Sequence, residues 1–228
     1  VHLFQLTVKD ADRAFVEALA PLRASNPRLC IDLANGLLQC HTRTNDSGLL
    51  DLADRVLTEA PQGQPTTVLV QGDVVAARGN PREAIALYRE AMEAIPAADR
   101  EALERWVELD RETRERLAGV RVIAASALNN MAYRQCEAGG VTTDTLDLVE
   151  RALTLLPDNP ALRDTRALVL LELDRVPEAR AEAEAAAMGL PDDPTVRLTL
   201  ARILQRSEAF AAARREVAAA LAILARTP

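Results

Sequence analysis

The sequence predicts an all-α chain, a solenoid of stacked antiparallel helix hairpins with one helical insertion, and three observations carry that expectation. Alanines at Ala152, Ala186 and Ala220 recur every 34 residues, and prolines at Pro157 and Pro191 keep the same step. Two further series follow it: Thr145, Ala179 and Ala213, and then Ala132, Ala167 and Ala201 with one extra residue in the first interval. Small residues returning at fixed places mark where paired helices cross, because only a short side chain lets two backbones approach closely. Composition agrees, with 49% hydrophobic residues, 3% aromatics and only 9 glycines in 228 residues, a bias toward residues that lose little on entering a helix. Length alone allows one or two domains. The repeat argues for a single array over residues 1–228, since each hairpin buries its apolar face only on its neighbours.

The elements follow in order. Residues 11–61 read as divergent N-terminal helices. Within them, 11–24, "ADRAFVEALAPLRA", form an amphipathic helix with Phe15, Val16 and Leu19 on one side, and 28–60 form a first pair closing at Pro61. Residues 65–96 are the best-marked repeat, with Gly72, Gly79, Ala84, Tyr88, Ala91 and Pro96 in the spacing of the later ones. Residues 97–124 are a helical insertion, because Pro96 and Pro157 stand 61 residues apart, more than one period. There Glu101 with Arg105, Asp110 with Arg114 and Glu112 with Arg116 stand at i,i+4, a spacing that stabilises a solvated helix by a few tenths of a kcal/mol per pair. Leu103, Trp106, Val107 and Leu117 supply a narrow apolar stripe. The insertion is expected to give an extended or extra helix and to break the array into two sub-arrays. Residues 125–157, 160–191 and 194–225 are the remaining repeats.

Gly72, Ala84, Tyr88, Ala91 and Pro96 occupy the small, small, aromatic, small and proline positions of a 34-residue pattern, and on these residues the chain resembles the tetratricopeptide repeat (TPR) family. "ALNNMAYRQCEAGG" and "PDNPALRDTRALVLLELDRVPEARAEAEAA" continue the resemblance with weaker markers. Thr145 stands where the family usually has alanine, Ala183 where it has an aromatic, and Ala225 where the closing proline would fall. The resemblance implies a right-handed superhelical solenoid whose first helices line a concave groove. In that frame the wall after the insertion carries Asn129, Asn130 and Tyr133, then Asp164, Thr165, Leu168 and Glu172, then Thr199, Arg202, Gln205 and Arg206.

These residues, apart from Thr199, are the candidate peptide-binding set. A side-chain amide both donates and accepts, so Asn130 can hold the backbone of an extended peptide whatever its sequence. Two asparagines in mid-helix are unfavourable by propensity, so they call for a reason. The other reading has Asn129 and Asn130 bonding to the adjacent helix, and both readings stand. Some family members grip a terminal carboxylate with lysine, asparagine and arginine on consecutive inner helices. Asn130 matches the asparagine, but Ala161 and Thr165 stand where basic partners would be needed, so such a clamp is not expected. Trp106, the only tryptophan, has two readings as well: an anchor for a partner, since tryptophan brings a large contact area, or packing across the neighbouring repeat.

Other function classes lack their signatures. A net charge of −7, with no Lys/Arg cluster interleaved with aromatics, disfavours nucleic acid. No apolar run reaches membrane-spanning length, so no direct membrane insertion is expected. Cys30, Cys40 and Cys136 form no CxxC pair, and adjacent Cys40 and His41 rarely converge on one ion, so no metal or other cofactor is expected. His2 and His41 adjoin no nucleophile motif, "ARGNP" is too poor in glycine for a phosphate cradle, and Asp192 and Asp193 before Pro194 read as helix caps. The chain is therefore expected to be no enzyme but a scaffold for a protein or peptide partner. The alternative is an accessory array of a larger enzyme or of a secretion or export assembly. Val217, Leu221 and Leu224 should line an uncapped C-terminal face that a second copy, a crystal neighbour or a further C-terminal segment covers. The chain lacks an initiator methionine and reads as a fragment, with a cytoplasmic setting expected and a periplasmic one left open.

Overall fold

The computed structural model describes Asn26 and residues 28–226, and all its regular elements there are helical. The expected helix over 11–24 and His2 lie outside the described residues. The chain divides at Ala97 and Ala98 into two compact units.

The first unit holds two hairpins. In the first, α1 (Leu29–Thr44) packs on α2 (Gly48–Thr58), and in the second, α3 (Pro65–Ala77) packs on α4 (Pro81–Glu93). Asn45 ends α1 in the left-handed region, where its N–H donates to the His41 carbonyl at 2.7 Å. Pro65 and Pro81 open their helices at the first turn, where the missing N–H would have had no partner. Cys30, Ala34, Leu50, Ala53, Val56, Val70 and Val74 form one core, which joins the second hairpin to the first. Gly72 decides the crossing of α3 and α4. A Cβ there would stand 2.6 Å from Tyr88 Cε1, and Tyr88 is fully buried with its hydroxyl donating to Asp73 at 2.8 Å.

The second unit begins one residue into a short helix, α5 (Ala97–Glu104), and continues with a 3-10 turn (Trp106–Glu108) and the 28-residue α6 (Arg111–Ala138). Asp110 caps α6, its carboxylate accepting from the Thr113 N–H at 2.8 Å. The three i,i+4 pairs expected in this stretch do not form among the described residues. Asp110 stands outside the helix as its cap, Arg105 falls in the break before the 3-10 turn, and Arg116 reaches Asp99 on α5 at 2.9 Å. The i,i+4 pair that does form here joins Arg111 to Glu115 at 2.7 Å.

Three hairpins follow. α6 packs on α7 (Thr143–Leu155), α8 (Pro160–Glu172) on α9 (Val176–Gly189), and α10 (Pro194–Arg206) on α11 (Phe210–Arg226). The repeat is visible in its polar ties. Asn159 and Asp193 cap α8 and α10 alike, each accepting from the N–H groups two and three residues on. Arg163 and Arg197 each donate to the carbonyl of the proline six residues earlier and pair with an acid on the second helix, Glu182 at 3.2 Å and Glu216 at 2.9 Å. Asp192, expected as a cap beside Asp193, pairs instead with Arg226 at 3.3 Å.

Every alanine of the 34-residue series is buried, including Ala132, Ala167, Ala179, Ala186, Ala213 and Ala220. Thr145 fits a fully buried alanine position because its hydroxyl donates to Gln135 at 2.6 Å and accepts from the Thr142 N–H at 3.0 Å. Val217, Leu221 and Leu224 are 39%, 61% and 52% exposed on α11, so none of the described residues covers that face.

Candidate peptide-binding wall

The first helices of the second unit touch one another in succession, α6 with α8 and α8 with α10. No comparable pairing joins α7, α9 and α11 among the described residues. The unit is therefore drawn together on its first-helix side, and each first helix carries a buried small residue of the 34-residue series, Ala132, Ala167 and Ala201, that fixes the register of its neighbours. Three residues before these alanines stand Asn129, Asp164 and Leu198, and one residue after them Tyr133, Leu168 and Arg202. The wall thus has rows that run from polar to apolar, or from aromatic through apolar to cationic.

Asn129 is half-buried, and its Nδ2 donates to Asn130 Oδ1 at 3.3 Å. Its Oδ1 is buried with no hydrogen-bond partner. Asp164, at the equivalent place on α8, is 6% exposed. Its Oδ2 accepts from the Thr199 hydroxyl on α10 at 3.4 Å, while Oδ1 is buried and unpartnered. Burial pushes the Asp164 carboxyl up to about 6. Thr199 opposes that shift, and the charge of Asp193 adds to it. Tyr133 lies under the Arg134 guanidinium, 4.9 Å from the ring centre, and Arg134 in turn pairs with Glu137 at 2.6 Å. Burial raises the Tyr133 phenol, with Glu137 and Asp164 adding. Thr165 and Leu168 lie beneath the surface, and the Thr165 hydroxyl bonds the Ala161 carbonyl of its own helix.

Glu172, Arg202, Gln205 and Arg206 come together at one end of the wall, where they line a cleft of about 590 Å³ with Leu171, Asp174, Glu208 and Phe210. Arg202 pairs with Glu172 at 2.5 Å and Arg206 with Asp174 at 2.9 Å. Asn129, Asn130 and Tyr133 are not among the cleft residues. Near the end of α6 the Cys136 thiol is pushed up to about 12 by burial and by the charge of Glu172, so it stays protonated at neutral pH.

The arrangement is that of tetratricopeptide repeats. No family model matches the sequence, and no curated protein matches it. Among solved structures the chain is similar to YrrB, described as a TPR protein with an unusual peptide-binding site, at 15% identity over 93% of each chain with a TM-score of 0.49. It is similar to MamA from Desulfovibrio magneticus RS-1 at 14% identity over 86% of this chain and 95% of that one, with a TM-score of 0.46. The TPR2AB domain of yeast Sti1, in complex with pHSP90, aligns at 15% identity over 94% of this chain and 90% of that one, with a TM-score of 0.40. The assignment of the TPR fold rests on the chain's own hairpins and crossing residues.

Leu171, Asp174, Glu208 and Phe210 are the cleft residues that sequence reasoning missed. Leu171 lies near the end of α8 and Phe210 opens α11, while Asp174 and Glu208 belong to the turns between first and second helices. For the turn residues a signal was present: Asp174 and Glu208 stand 34 residues apart in the place that Gly79 fills in the earlier repeat. Trp106 is buried, with the Arg121 guanidinium 4.3 Å over its ring, while its neighbour Val107 is 78% exposed. Among the described residues no three His, Cys, Asp or Glu side chains gather as a metal site, and no helix is long and apolar enough to cross a membrane.

Proposed function

We propose that the chain is a noncatalytic interaction scaffold that holds an extended peptide or protein segment along the first-helix wall of its second unit. The observation that carries this reading is the row of half-buried and exposed polar side chains along successive first helices, Asn129, Asn130 and Tyr133 on α6, Glu172 on α8, and Arg202, Gln205 and Arg206 on α10. A side-chain amide both donates and accepts, so Asn129 and Asn130 can hold the main chain of a segment whatever its sequence. Leu198 and the cleft beyond it are left to read side chains.

A random-peptide display selection against the full chain tests the reading, followed by calorimetric titration of the selected peptides. Replacing Asn129 or Asn130 by Ala is expected to weaken binding by about 1–3 kcal/mol with little change in melting temperature. A selection that enriches no peptide overturns the proposal. So does an Asn130→Ala variant that melts much earlier yet, below its melting point, binds as before, since the asparagine then only packs.

A further inference from the structure

We propose that the cleft between the C-terminal ends of α8 and α10 and the start of α11 takes a lysine or arginine side chain of the bound segment. The inference rests on the scaffold reading for the identity of the ligand, but its chemistry comes from the cleft alone. Three carboxylates, Glu172, Asp174 and Glu208, face two guanidinium groups, Arg202 and Arg206. Both guanidiniums are already engaged, Arg202 by Glu172 Oε1 and Arg206 by Asp174 Oδ1. The second oxygen of each acid is left over, and Glu208 has no ion-pair partner among the described residues.

An anion entering this space would meet an unpaired carboxylate and would compete with two acids already in place. It would also approach a chain whose net charge is −7. A cation meets unused carboxylate oxygens of three residues. Phe210 adds a second kind of attraction, for it is 54% exposed at the head of α11 and lines the same cleft, where its ring can take a cation on its face. Leu171 offers an apolar wall for the methylene stem, which lysine and arginine bury while the charged head stays with the acids. The volume of about 590 Å³ lies in the range of small-ligand sites and leaves room for one long side chain.

The probes are capped tripeptides, acetyl-Gly-X-Gly-amide with X as arginine, lysine, norleucine or glutamate, titrated into the isotopically labelled full chain while the backbone amide signals of Glu208 and Phe210 are followed. The arginine and lysine peptides are expected to shift those signals at millimolar concentration, and added salt to weaken the effect. Norleucine and glutamate should leave them still. Glu208→Gly removes the unpaired carboxylate at a backbone angle glycine adopts freely, so the fold survives, and the arginine peptide should then bind at least threefold more weakly. Equal shifts from norleucine, larger shifts from glutamate, or an unchanged affinity in Glu208→Gly each overturn the proposal. The display selection separates the two ideas: enriched peptides that bind the wall but carry no basic residue leave the scaffold reading standing and sink this one. Cleft shifts from arginine with no enriched peptide do the reverse.

Discussion

The hairpin of α3 and α4 and the hairpin of α8 and α9 share one frame and solve its packing problem with opposite chemistry. In the first, glycine and a large aromatic meet, Gly72 against Tyr88, and the turn passes through Gly79 at φ 80°. In the second, the same two places hold Ala167 and Ala183, both fully buried, and the turn passes through Asp174 at φ 59°. The aromatic hairpin is held by shape. The alanine hairpin gives up that contact area and adds ties at its margin, with Arg163 and Arg166 both reaching Glu182 across the two helices. The first helices differ in step: Leu69, Val70 and Ala76 on α3 are buried and apolar, whereas α8 carries a buried Asp164 and an exposed Glu172. One backbone pattern therefore carries an apolar packing module in one unit and polar groups in the other.

The largest effect should come from removing the aromatic on which the first solution depends. Tyr88→Ala deletes a fully buried ring and leaves the Asp73 carboxylate without its 2.8 Å donor. Truncations of buried aromatics cost about 3–5 kcal/mol, a large share of the stability of any domain. Urea denaturation of the full chain should show that loss. The comparison breaks if Tyr88→Ala costs less than about 1 kcal/mol, because the hairpin then does not depend on the ring.

A smaller effect of opposite sign belongs to the polar wall. Asp164 has its carboxyl pushed up to about 6, mainly by burial, against about 4 for an aspartate in an unfolded chain. The folded state therefore holds this proton more tightly than the unfolded state does. Between pH 4 and 6 stability falls as pH rises, and above about pH 6 the full penalty of roughly 2–3 kcal/mol is in place. Asp164→Asn removes the charge and keeps an acceptor for the Thr199 hydroxyl. It should raise the melting temperature at pH 7.5 and leave it nearly unchanged near pH 4. Equal shifts at both pH values would show that the charge of Asp164 is not the source of the strain.

How far the sequence carried the fold depends on what kind of residue did the work. Ala179, Ala186, Ala213 and Ala220 announced the crossings because a crossing tolerates few side chains, and all four are buried. The insertion was less legible. Glu101, Arg105, Asp110 and Arg114 look paired on a continuous helix, but the chain breaks at Arg105 and restarts at Arg111, and spacing alone does not show where a helix starts. Glu172, Arg202, Gln205 and Arg206 share a cleft, and the turn residues that help complete it follow no helical period. The helical period places Asp164 on α8, but its burial against Thr199 depends on the distance between α8 and α10, which no local pattern encodes.

The smallest expected effect concerns the turns, where the two hairpins differ by one residue type at one angle. Gly79 at φ 80° sits where Asp174 and Glu208 each sit at φ 59°. An L-residue held in the left-handed region costs about 1–2 kcal/mol, while glycine surrenders about 0.5–1 kcal/mol more chain entropy on folding than a residue with a Cβ. The first term wins, so Glu208→Gly should stabilise the chain by about 0.5–1 kcal/mol. Asp174→Gly should gain less, because it also gives up the pair with Arg206, an exposed contact of at most about 1 kcal/mol. Gly79→Glu should lose about what Glu208→Gly gains. Paired denaturation curves for Gly79→Glu and Glu208→Gly measure both ends of this comparison. If Glu208→Gly destabilises the protein, its side chain makes a contact worth more than the strain it sustains, and the carboxylate is then not free to receive a cation.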